Sequence, residues 1–72
     1  MIEAAKNVAR KALAGGQTLF IPAMVDWLAN HNGEPLKQPG LVQQALLFAM
    51  GEMEDEGEAL LTPAGWKLTA RH

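Results

Sequence analysis

The chain contains no cysteine and only four aromatic residues, two Trp and two Phe. Without cysteine there is no disulfide staple, no thiolate zinc site and no cysteine nucleophile. Long apolar runs are missing too: the longest covers residues 45–50, far short of the roughly 20 residues that span a bilayer. The opening Ile2-Glu3-Ala4-Ala5-Lys6 lacks the basic-then-apolar order of a signal peptide. These absences predict a small soluble cytoplasmic protein with no membrane association. Cations are scarce as well, six Lys and Arg against eight Asp and Glu, for a net charge of −2. That balance supplies little of the phosphate-neutralising charge behind strong non-specific DNA affinity.

What is present is the composition of a folded core, 49% apolar and 19% charged, and not of a disordered tail. Seventy-two residues fit one small domain over residues 1–72. A chain of this size buries only about 60% of its unfolded surface, so each large apolar side chain carries weight. The acids are concentrated: Glu52, Glu54, Asp55, Glu56 and Glu58 lie within seven residues, leaving Glu3, Asp26 and Glu34 against all six bases elsewhere. One face can therefore be basic while another carries the acids, and the acidic run itself reads first as a solvated helix end.

Periodicity predicts three helices. Over residues 2–14, Ile2, Ala5, Ala9, Ala12 and Leu13 recur at helical spacing, with Glu3, Lys6, Asn7, Arg10 and Lys11 on the other side. Gly15-Gly16 stops that helix. A second begins around Pro22, with Ile21, Met24, Val25 and Leu28 as its stripe and Trp27 and Ala29 widening it, and ends at Asn32-Gly33. The third covers about residues 39–56. Leu41, Val42, Ala45, Leu46, Ala49 and Met53 form its inner face, Phe48 and Met50 broaden that face, and Gln43, Gln44, Leu47, Gly51 and Glu54 lie opposite. The period then changes to two: Trp66, Leu68 and Ala70 alternate with Lys67, Thr69 and Arg71 after the turn Thr62-Pro63-Ala64-Gly65. A proline at the second turn position and a glycine at the fourth make a type I turn, and so a hairpin. The predicted class is mainly α with a C-terminal β-hairpin, and residues 17–20 form an extended connector or a minimal strand. Trp27 and Trp66 read as core, because few other large side chains are available to fill the interior.

Three helices followed by a two-stranded hairpin is the chain order of the winged helix–turn–helix superfamily. Leu41-Val42-Gln43-Gln44-Ala45-Leu46 resembles the start of that family's recognition helix. Met53-Glu54-Asp55-Glu56-Gly57-Glu58-Ala59 is similar to its helix exit, and Leu61 with Gly65-Trp66-Lys67-Leu68 resembles the wing. The likeness covers most of the chain as topology. It implies a small DNA-binding protein, a transcription regulator or accessory factor, with double-stranded DNA as its partner. By position it implies that Gln43 and Gln44 reach base edges, where a Gln amide pairs bidentately with adenine. Lys37 and Gln38 would touch phosphate just before the helix. Lys67 and Arg71 on the wing, with Lys6, Arg10 or Lys11 on the first helix, would contact the backbone and set register.

The same residues support another reading, a protein-interaction module that forms a homodimer or binds a different partner. Leu47 falls on the polar side of the third helix, and Met50 and Met53 lie nearby. An exposed leucine beside methionines suits a partner groove, and Glu54 adds charge to that surface. The acidic run would also suit mimicry of nucleic-acid charge, in an inhibitor of a nucleic-acid-binding machine.

Catalytic and metal chemistry finds little support. His72 is terminal, and His31 with Glu34 offers two ligands where zinc sites use three or four. Thr62 and Thr69 have no His in sequence reach. Gly15-Gly16 lacks the Lys-Ser/Thr of a phosphate loop, and the acidic run lacks the alternating oxygens and central glycine of a calcium loop. The expectation is a non-enzyme with no cofactor and no metal.

Overall fold

The computed structural model describes residues 2–69. Helices α1 (Ile2–Ala12), α2 (Ile21–Asn32) and α3 (Pro39–Asp55) are followed by strands β1 (Ala59–Thr62) and β2 (Gly65–Leu68). The protein is thus mainly α with a C-terminal antiparallel hairpin, in the α-α-α-β-β order that its periodicity predicts.

Helix α1 lies mostly along α3. Ala5, Ala9 and Ala12 are buried, as is Leu13 just beyond the helix, and they share one core with Leu46, Ala49, Met50 and Met53 of α3. Short alanine side chains bring the two helices together, and the flexible methionines fill the irregular space that remains. Met24 of α2, Ala59 of β1 and Trp66 of β2 close this core from the other side. Trp27 is half-buried against it and stacks on His31 with ring centroids 4.9 Å apart. Helix α1 ends two residues earlier than its apolar spacing predicts, and a short turn at Ala14–Gly16 follows. Ala14 faces solvent, so no burial holds the helix together at that point.

The exit from α3 is a Schellman turn. Glu58 N–H donates to Met53 O at 2.7 Å and Gly57 N–H to Glu54 O at 3.0 Å, with Gly57 at φ 76°, the left-handed conformation this cap requires. The chain then enters β1, which pairs with β2 in the register Ala59–Leu68, Leu60–Lys67, Leu61–Trp66 and Thr62–Gly65. No described non-glycine residue has positive φ, so Ala64 does not serve a type II turn, which needs positive φ at that position. Thr62 Oγ1 donates to Gly65 O at 2.7 Å and accepts from Ala64 N–H at 3.2 Å. On the far side of β2, Leu19 and Trp66 exchange both backbone hydrogen bonds, at 3.1 and 2.8 Å. The minimal strand expected over residues 17–20 is therefore this single bridge. It places Leu19 beside Gly65, where a Cβ would lie 2.6 Å from the Leu19 carbonyl carbon.

Candidate interaction surface

Three of the five acids in the run, Glu52, Glu56 and Glu58, pair with cations of α1, while Glu54 and Asp55 are exposed as a solvated helix end would be. Lys6, placed by its sequence position on the polar side of α1, is only 4% exposed. Its Nζ lies 3.0 Å from Glu52 Oε1, 3.4 Å from Glu56 Oε1 and 3.7 Å from Glu3 Oε2. The hydrogen bond to Glu52, with the Glu56 carboxylate behind it, holds the Lys6 ammonium above the ordinary lysine range despite its burial. One turn on, Arg10 grips Glu58 bidentately through Nε and Nη2, the latter at 3.0 Å, while its Nη1 reaches Asn7 Oδ1 at 2.8 Å. The guanidinium lowers the Glu58 carboxyl below its usual range, and Glu58 in turn raises Arg10. Two of the cations that the family resemblance would aim at phosphate are thus engaged by carboxylates of α3 and the following turn. Among the described residues Lys11, Lys37 and Lys67 make no ion pair.

Helix α3 carries its apolar residues all round, and this divides them between two surfaces. At about 100° per residue, Leu46, Ala49, Met50 and Met53 cluster on one side, and all four are buried. Leu41 and Phe48 stand roughly 140–160° round the helix from Leu46 and are 56% and 59% exposed, with Leu47 at 57%. Two expectations change here. Leu41 and Phe48 are not part of the inner face, and Met50, expected at a partner surface, has no exposed area at all. The physical reason is angular: Met50 is four residues from Leu46 and three from Met53, so it shares their side. Phe48 takes the outward place instead.

The other predicted site residues distribute as follows. Gln43, Gln44 and Glu54 are exposed on α3 beside Leu47, and Lys67 is exposed on β2 opposite Leu60. Gln38 sits immediately before α3, and its carbonyl accepts from Leu41 and Val42 N–H. Lys37 and Gln38 border an apolar groove of about 460 Å³ between α1 and the first half of α3, lined chiefly by Val8, Leu28, Leu36 and Leu41. Leu36, the one large apolar residue of the α2–α3 connector, is there to close it. Arg71 lies outside the described residues. The exposure of Phe48 escapes a reading that lets it broaden the inner face. Its angle from Leu46 points outward only once Leu46 is known to face the core.

Among the described residues no three His, Asp or Glu side chains converge on a metal-sized site, and no helix is long and apolar enough to cross a membrane. No protein-family model, curated protein or solved structure matches the chain.

Proposed function

We propose that this chain is a protein-docking module of winged-helix type, with the outward face of α3 as its contact surface. The topology is supported by the element order and by the Leu19–Trp66 bridge, which adds a third extended segment beside the hairpin. The observation that carries the docking reading is the surface of α3. Leu41, Leu47 and Phe48 are each more than half exposed, and the helix contains no Lys or Arg. A helix that reads a major groove uses polar and cationic side chains on that face. A face with three large apolar groups excludes water best against another polypeptide.

Double-stranded DNA is the second reading, favoured by the exposure of Lys37, Gln38, Gln43, Gln44 and Lys67. An amide-shift titration with a mixed-sequence duplex at about 50 and about 200 mM salt separates the two, because phosphate contacts weaken steeply over that range. The docking reading expects no shifts at the lower salt. Shifts over residues 37–44 and at Lys67 that fade with salt would overturn it in favour of DNA.

A further inference from the structure

We propose that the partner on this face is a second copy of the chain, with the two α3 helices antiparallel about a two-fold axis near residue 46. The inference rests on the docking reading above and names its occupant. The spacing, shape and charge of the face point the same way.

The outward positions Leu41, Gln44, Phe48 and Gly51 follow a three-four spacing, the seam along which one helix packs on another. Gln44, Leu47, Phe48 and Gly51 also form the four corners of a hole for a side chain of the facing helix. No packing contact among the described residues requires a glycine at position 51. A Cβ there would meet nothing within 4 Å, although glycine in a helix interior costs about 1 kcal/mol relative to alanine. A notch beside an exposed phenylalanine is explained by a neighbour that fills it.

The antiparallel register matches large to small and cation to anion. With the axis near residue 46, Leu41 of one copy meets Gly51 of the other, and Phe48 meets Gln44. Lys37, which makes no ion pair among the described residues, meets Asp55 of the second copy, and Gln38 meets Glu54. Neither Glu54 nor Asp55 has an ion-pair partner within the described chain. These carboxylates also come to the N-terminal end of the facing helix, where the dipole favours anions. A parallel pair would set Phe48 on Phe48 and Asp55 on Asp55, leaving the notches unfilled. One helix face per subunit belongs at the low end of interface sizes, below about 1,200 Å² in total, the class of weak and transient pairs.

Sedimentation equilibrium from about 10 μM to about 1 mM chain brackets the affinity of such a pair. The expected average mass rises from 7.8 kDa toward twice that value, and Phe48→Glu, with unchanged circular dichroism, stays monomeric. Gly51→Ala weakens association several-fold while raising the melting temperature, a combination that a purely structural glycine does not produce. Lys37→Glu and Asp55→Lys each weaken the pair about 2- to 5-fold, and the double exchange restores it. A monomer throughout, or a double exchange that fails to restore, overturns the antiparallel homodimer. A photo-crosslinker at position 48 in cells separates this inference from the reading beneath it. Adducts to a second copy support both, adducts only to another protein overturn the self-pairing alone, and no protein adduct overturns both.

Discussion

Replacing Gly65 with alanine tests whether the hairpin is clamped against the α1–α2 connector as described. Gly65 has φ 124°, and an added Cβ would stand 2.6 Å from Leu19 C, 2.9 Å from Phe20 N and 3.0 Å from Leu19 N. All three atoms are backbone, so no side-chain rotation relieves the clash. A residue with a Cβ held at such a φ carries about 1–3 kcal/mol of strain. If the connector moves away instead, the two Leu19–Trp66 hydrogen bonds are lost, at about 0.5–1.5 kcal/mol each. The expected loss is about 3 kcal/mol, a large share of the roughly 4–11 kcal/mol available to a domain of this size. In melting temperature that is a fall of about 12–24 °C. Urea unfolding at low micromolar chain, followed by tryptophan fluorescence and circular dichroism, measures it. Gly51→Ala is the matched control: its site is helical and open, so it should gain about 1 kcal/mol. A Gly65→Ala variant within about 0.5 kcal/mol of the parent, the range of an ordinary surface change, would refute the clamp.

Three further outcomes follow from the packing and the ion pairs. Met50→Ala should cost about 2–5 kcal/mol, as expected for a fully buried side chain, whereas Leu47→Ala should stay within about 0.5 kcal/mol. The reverse order in a denaturant series would exchange their assigned sides. Glu58→Gln should cost about 1 kcal/mol at neutral pH, the upper range for a partly exposed pair. Because Arg10 lowers the folded-state pKa of Glu58, that contribution is present above the ordinary Glu value of about 4.3 and is lost as pH falls through the lower folded value. The variant should therefore show a flatter acid limb in a stability–pH profile, and an unchanged limb would remove Glu58 from the pair. Lys6 has the opposite sign: its folded pKa is raised, so its contribution is intact below about 10.4 and is lost as pH rises through the folded value. Lys6→Met should flatten the alkaline limb, measured the same way.

Much of the architecture is legible in the sequence. The alanine stripe of α1, Pro22 in the first turn of α2, and the Gly57 exit with its Thr-Pro-Ala-Gly turn are local signals. Each depends on backbone preferences within a few residues, and each lies where its chemistry predicts. The surface of α3 was less legible because that helix is apolar on every side, with Leu41, Leu47 and Phe48 facing out and Leu46, Met50 and Met53 facing in. Composition cannot separate an inner from an outer face in such a segment. The division follows from which side α1 covers.

By itself the sequence determined the element order, the place of the hairpin turn and the absence of thiol chemistry. These are consequences of φ preferences, hydrophobic period and residue inventory, and all act over short range. Tertiary structure alone decided the fate of the charges and the outward placing of Leu41 and Phe48 on α3. Lys6 and Glu52 are 46 positions apart, and Arg10 and Glu58 are 48 apart. Their pairing exists only because α1 lies along α3, so three acids of an apparently free run become half of an internal ion-pair network. The same docking buries Met50 and leaves Phe48 in water, since a helix covered on one side by its neighbours cannot hide residues that project from the other.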